Sequence, residues 1–262
     1  MPQAEGTTEY TYEDYASKVA INRLPSTGAL VDQTYRITLD AGRSFQLEFL
    51  DRYQVRWSSA GEQGTDWCEV VEVAPHTYFV DMTFAQRPRE SQTFIANVDT
   101  RRVLGIRTIL REGDVGKEPR AVHECSPGVL GDPAIPPTGH EPAPTRDLVG
   151  LRGVYDYGPE QIMEHIYLNT ECYVWQGIVG PLRGQGDVDH ASYYKFDDRQ
   201  YIFCFREFGL PVSTVFFYNW EQMRSTGKFF AIGEDGSIAN TPAGAYIHYL
   251  SMAFYPLHWQ PV

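Results

Sequence analysis

Two stretches of this chain repeat one order of signals. The first runs "YRITLDAGRSFQLEFLDRYQVRW" and then "HTYFVDMTFAQRPRESQTFIANVDTRRVLGIRTIL"; the second runs "YDYGPEQIMEHIYLNTECYVWQG" and then "RQYIFCFREFGLPVSTVFFYNWEQMRSTGKFFAI". Each is a series of short alternating runs rich in Tyr, Phe, Val and Thr, broken by Gly, Asp, Asn or Pro at intervals of about 8 to 12 residues. Alternation sends successive side chains to opposite faces, and strands of this spacing predict an all-β antiparallel barrel or sandwich. Two copies of the pattern predict an internal duplication. A small up-and-down barrel has an interior that side chains fill or that holds one small ligand.

Between the copies lies a stretch holding Pro119, Pro127, Pro133, Pro136, Pro137, Pro142 and Pro144. Proline at that density suits neither a ladder nor a helix interior, so residues 113–147 read as a connector. The expected division is a helical segment over 1–24, a first barrel over 25–112, the connector, and a second barrel over 148–262. The one helix expected, Thr11 to Leu24, would turn Tyr15, Val19 and Ile21 or Leu24 inward and plug or brace a barrel end, the alternative being a moving lid.

A formal net charge of -12 repels phosphate backbones and anionic headgroups, which argues against nucleic acid and membrane surfaces as partners. The start lacks a basic-then-apolar leader and no apolar run is long enough to span a bilayer, so a cytoplasmic location is expected. Cys68, Cys125, Cys172 and Cys204 never fall into C-x-x-C and read as reduced thiols. "GDVDH", Gly186 to His190, is the one cluster with any metal-ligand character, and it reads more simply as a polar turn. No cofactor or metal is expected.

Chemistry concentrates in the second copy. Strict alternation in "RQYIFCFREF" puts Tyr201, Phe203, Phe205 and Glu207 on one face and Ile202, Cys204 and Arg206 on the other. A row of aromatics facing water would form an exposed apolar stripe, so that face should line the barrel. Glu207 would then be desolvated, with a raised pKa and the makings of an acid/base. Tyr155 and Tyr157 also share a face; paired phenols can stabilise one carboxylate or oxyanion, or simply serve as strand aromatics. In the closing strand, Tyr246 and His248 share a parity and could reach the same interior.

The segment "GVYDYGPEQIMEHIYLN", with "YYKFDDRQYIFCFRE" and "MRSTGKFFAI", resembles the C-terminal domain of the MoaF family, named for molybdenum cofactor biosynthesis protein F. The first copy is similar to that family's N-terminal domain. The resemblance implies tandem lipocalin-like (calycin-type) barrels. A more distant resemblance is to the phenolic acid decarboxylases, cofactor-free barrels with Tyr-x-Tyr in the first strand, an Arg after a Gly-rich turn and a Glu after an aromatic strand.

Tyr155, Tyr157, Arg183 and Glu207 match those elements. The likeness implies that the tyrosines and Arg183 hold an anionic group while Glu207 moves a proton. Met163 stands where those enzymes place a further Tyr, which points to a bulkier apolar substrate. His165 shares the face of Met163 and is a second candidate acid/base. The first copy has Ile37 and Phe84 where the second has Tyr157 and Glu207, so it would brace the second, close one end of it, or support a homodimer contact.

The function expected is that of a cofactor-independent lyase or isomerase. It would act by decarboxylation, cyclisation, dehydration or double-bond migration on a small apolar or aromatic oxygenated substrate, anionic under the decarboxylase likeness. Glu207, Tyr155, Tyr157 and Arg183 would be catalytic, and Met163, His165, Tyr201, Phe203 and Phe205 would bind substrate. The alternative is a non-catalytic lipocalin-like carrier.

Overall fold

In the computed structural model residues 12–111, 120–233 and 235–262 are described. The chain forms two closed antiparallel barrels side by side. Strands β1 (Thr34–Leu39), β2 (Ser44–Phe49), β3 (Gln54–Ser59), β4 (Glu62–Ala74), β5 (Thr77–Phe84), β6 (Arg87–Asn97), β7 (Arg102–Leu110) and β8 (Ala121–Leu130) pair each with the next, and β8 returns to β1. A two-residue strand β9 (Ala143–Pro144) follows. The second barrel is β10 (Leu151–Gly158), β11 (Gln161–Tyr167), β12 (Cys172–Val179), β13 (Gly186–Asp197), β14 (Gln200–Arg206), β15 (Val212–Asn219), β16 (Arg224–Ile232) and β17 (Ile238–Met252). It closes through β10 on β17, and β9 pairs with β13. Among the described residues no helix is long and apolar enough to cross a membrane.

The eighth strand of the first barrel corrects the expected boundary, because it lies inside the stretch read as a connector and contains Pro127. The carbonyl of Pro127 accepts the Asp40 amide at 2.9 Å on the β1 side of the strand. The ring nitrogen faces that same side, just past the last β8–β1 pair, Leu39 with Gly128. The missing N–H therefore falls where the ladder is ending.

Alternation holds where one face meets water: β3 reads exposed and buried by turns along its length. It fails in β14 and β15, which are buried on both faces. Their inward residues belong to the second barrel's core. Their outward residues Ile202, Cys204, Val215 and Phe217 pack with Val71, Phe79, Ile95, Leu104 and Ile106 of the first barrel. Each barrel thus offers part of its outer wall to the other, and the first barrel braces the second along its side.

A charged cluster crosses this apolar interface. Lys228 of β16 donates to Asp81 of β5 and to Ser91 Oγ at 2.8 Å, while Asn240 and Thr93 donate to Asp81 at 2.7 and 2.9 Å. Burial lowers the Lys228 pKa and the Asp81 charge opposes that shift.

The helix α1 (Tyr12–Val19) is shorter than expected and packs on β10 and β17 of the second barrel. Val19 is wholly buried in that barrel's core. Thr11 and the side chain of Tyr15 lie outside the described residues. Beyond the helix the chain turns at residues 20–22, with the Asn22 amide on the Tyr157 carbonyl at 3.1 Å and the Asn22 carbonyl accepting from Arg224 at 2.6 Å. That path leaves Ile21 exposed and carries Leu24 to the inter-barrel cluster.

Candidate functional site

The two interiors differ. The first is filled by Phe45, Phe49, Val55, Trp57, Met82, Phe84 and Phe94, and its void is about 10 Å³. The second holds a cavity of about 490 Å³, large enough for a small organic molecule. The cavity opens beside the loops after β12 and β14, where Leu182, Gln185, Gly209 and Leu210 form the rim. Tyr157, Met163, Tyr173, Phe205 and Phe229 line its inner wall, together with His165.

Glu207 lines this cavity, one residue beyond the end of β14, where its amide donates to the Val212 carbonyl at 3.0 Å. Burial, followed by the negative charges of Asp189 and Asp187, pushes its pKa up to about 7. Asp189 is itself buried and held on both oxygens, by Trp175 Nε1 at 3.0 Å and by the Phe208 amide at 3.1 Å. Burial raises its pKa too.

Tyr157 is buried, and its hydroxyl has no hydrogen-bond partner among the described residues, so it is a phenol offered to the cavity. Burial raises its pKa and keeps it protonated. His165 is pushed down to about 3 by burial and is neutral; its Nδ1 lies 3.4 Å from the Tyr167 hydroxyl. Met163 takes a contact from Gln161 Nε2 at 3.0 Å.

The remaining expected residues stand elsewhere. Tyr155 points inward like Tyr157 but sits away from the cavity wall, its ring 4.3 Å from the His165 ring. Its hydroxyl is taken up by Tyr167 at 2.6 Å, and Tyr167 donates to Tyr218 at 3.0 Å. Two residues along a strand is a step of about 6.6 Å, so a shared face does not put two hydroxyls on one ligand atom. Phe203 fills the centre of the aromatic core, outside the cavity lining. Tyr201 donates to Asp147 at 3.0 Å, away from the cavity.

Arg183 is exposed, bridged through its backbone to Gly177, and outside the lining. Its loop turns back on β12 and takes the side chain with it, so the anion-holding trio of Tyr155, Tyr157 and Arg183 is not assembled. No Lys or Arg lines the cavity among the described residues. Tyr246 and His248 face outward and are exposed, because Ala245 and Ile247 take the inward positions of β17.

Sequence reasoning missed Asp187, Asp189, Tyr173 and Trp175. "GDVDH" opens β13 instead of making a turn, and Asp187, Asp189, Ala191 and Tyr193 alternate on its inward face. Strand register shows what they are. Cys68 pairs with Met82 and Ala191 with Phe205; these are equivalent places in the two barrels, so Asp66 corresponds to Asp189 and Phe84 to Glu207. Gly64 opposite Trp57 likewise corresponds to Asp187 opposite Trp175. The first barrel repeats the same clamp: Asp66 accepts from Trp57 Nε1 at 2.7 Å and from the Ala85 amide at 3.0 Å. Asp189 is therefore a shared structural device. Asp187 and Glu207 are carboxylates that the second barrel has and the first lacks.

The fold and cavity define a class: a tandem up-and-down β-barrel protein in which one barrel is packed solid and the other is a cup. Residues 10–112 match the MoaF N-terminal domain and residues 142–253 the MoaF C-terminal domain, and the chain belongs to the MoaF family. It is 38% identical over 109 residues to Protein MoaF of Klebsiella aerogenes, a match spanning 41% of this chain and 42% of that protein. A solved structure described as a putative beta-lactamase from Burkholderia vietnamiensis covers 40% of this chain and 100% of its own, at 11% identity and a TM-score of 0.34. So low a similarity bears on neither fold nor function.

Proposed function

We propose that the second barrel is a cofactor-independent isomerase or lyase that moves a proton on a small, largely apolar molecule. The reading rests above all on Glu207, a cavity-lining carboxyl brought to a pKa of about 7. A group that titrates there can both take and return a proton at neutral pH. The hydroxyl of buried Tyr157, without a hydrogen-bond partner among the described residues, can donate to an oxygen that gains negative charge as the proton leaves carbon. Met163, Phe205 and Phe229 supply an apolar seat and exclude water.

Double-bond migration, cyclisation and dehydration use these groups directly. Decarboxylation lacks the cation that would hold a carboxylate, since no Lys or Arg is in the cavity lining among the described residues. The carrier alternative draws on the chain of Tyr155, Tyr167 and Tyr218, which spends three phenols on one another and keeps them from a ligand.

Incubating the protein with a small-molecule cell extract in deuterated water tests the reading. The expected result is a species consumed as a product carrying solvent deuterium appears, with both changes lost in Glu207→Gln. Turnover that persists in Glu207→Gln removes the assignment. A molecule bound but returned unchanged makes the barrel a carrier.

A further inference from the structure

The charge carried by the ligand follows from comparing the two barrel mouths, and it rests on reading the second barrel as a ligand-binding cup. Asp187, Asp189 and Glu207 gather on one side of the cavity. The ladder between β13 and β14 ends with His190 opposite Arg206, so Asp189 and Glu207 are the next residues outward on neighbouring strands, and Asp187 lies two residues further along β13. The charges that Glu207 feels are both negative, and none of the three carboxylates has an ion-pair partner among the described residues. Asp189 is buried, Glu207 half-buried and Asp187 exposed at the mouth, and carboxylates crowded together in this way are costly unless positive charge joins them.

The first barrel shows what that end of the fold accommodates. There the guanidinium of Arg87 lies 4.5 Å from the Phe84 ring centroid and 5.6 Å from that of Trp57, and it pairs with Glu62 at 2.6 Å. Phe84 and Trp57 are the counterparts of Glu207 and Trp175. The first barrel thus supplies its own cation, stacked on aromatic rings and held by a carboxylate. In the second barrel the connection after the fifth strand is longer, no Lys or Arg lines the space, and the space is open.

The aromatic seat remains, in Trp175, Tyr173, Phe205 and Phe229. No group of three or more His, Cys, Asp or Glu among the described residues is placed to hold a metal ion, which favours a larger cation. Deeper in, the side chain of Tyr157, 2% exposed and with a hydroxyl that has no hydrogen-bond partner among the described residues, points independently to a ligand with a polar atom at its inner end.

We propose that the second barrel binds an organic ammonium with an apolar body. Its charged end sits between Asp187 and Glu207, where Arg87 closes the first barrel, and its body lies on the aromatic wall. Asp189 positions Trp175 and the turn at Phe208, with both oxygens already engaged. An ammonium beside Glu207 favours the charged carboxylate, so Glu207 enters the proposed proton transfer as the base.

Calorimetric titration of the full chain with 2-phenylethylamine, 2-phenylethanol and 3-phenylpropanoate tests the assignment. The amine should bind at least about tenfold more tightly than the alcohol, and the propanoate most weakly, since half-buried Glu207 and the Asp187 carboxylate at the mouth both act on the charged end. In Asp187→Asn/Glu207→Gln the advantage of the amine over the alcohol should fall below about threefold while the alcohol binds as before, which shows the cup intact. Alcohol or propanoate binding as tightly as the amine overturns the ammonium assignment and leaves the proton-transfer reading standing, and so does an advantage that survives in the double variant. Failure of all three probes to bind also overturns it, while the deuterium experiment decides the proton-transfer reading separately.

Discussion

The two barrels share strand order, closure and a Trp–Asp clamp, yet one is solid and the other hollow. The second is the more aromatic, so the hollow does not come from smaller side chains overall. It comes from a few places at one end. Phe84 and Gly64 in the first barrel give way to Glu207 and Asp187 in the second, and a short turn carrying Arg87 gives way to a longer loop. A fold can thus turn from a brace into a cup without altering its hydrogen-bonded frame, because frame and filling are set by different residues.

The most disruptive test of this comparison acts where the barrels join. Lys228→Met strands the Asp81 charge in an apolar interface and should cost about 3–5 kcal/mol in urea unfolding, with Lys228→Met/Asp81→Leu recovering most of it. Should the single variant unfold like the wild type, the interface is wetter than described. Next in size is a matched truncation. Phe94→Ala opens a void in the solid barrel and should cost about 3–5 kcal/mol, whereas Met163→Ala, already beside empty space, should cost less than about 2 kcal/mol. Equal losses would erase the distinction between solid and hollow.

A third test uses pH. The Glu207 carboxyl rises from 4.5 to about 7 on folding, so the native state holds a proton that the unfolded chain releases. The stability this confers is complete below pH 4.5 and is lost as pH rises through 7. The melting temperature of the wild type should therefore fall relative to Glu207→Gln between about pH 5 and pH 8. Parallel curves would place the carboxyl in open water. The smallest effect expected is also a symmetric one: Asp66→Asn and Asp189→Asn should each cost about 1–2 kcal/mol by thermal unfolding, since each loses charge-assisted bonds to an indole and a backbone amide. A clear difference between the two would break the equivalence of the clamps.

Much of this was legible in the sequence, and the failures have physical causes. The duplication and the barrels follow from period-two alternation, which survives wherever one face meets water. The pairing of "HTYFVDMTF" with "RQYIFCFRE" matches two fifth strands, β5 and β14, and put Phe84 opposite Glu207. β8 escaped notice because proline density masks a strand whose proline sits at the end of a ladder. Parity found the face of Tyr155 and Tyr157 and could not find their depth. Arg183 failed because loop length, unlike strand register, does not fix where a side chain ends up. The clamps were hidden for the same reason: Trp57 and Asp66 are 9 residues apart, whereas Trp175 and Asp189 are 14 apart across a longer turn.

The seat of α1 has a consequence for the order in which the protein is made. The helix precedes the first barrel in the chain but rests on β10 and β17, the first and last strands of the second. During synthesis Val19 must wait, uncovered, until the final strand has left the ribosome. The first barrel can close before that moment; the second completes its core only when α1, made ahead of the whole first barrel, meets β17.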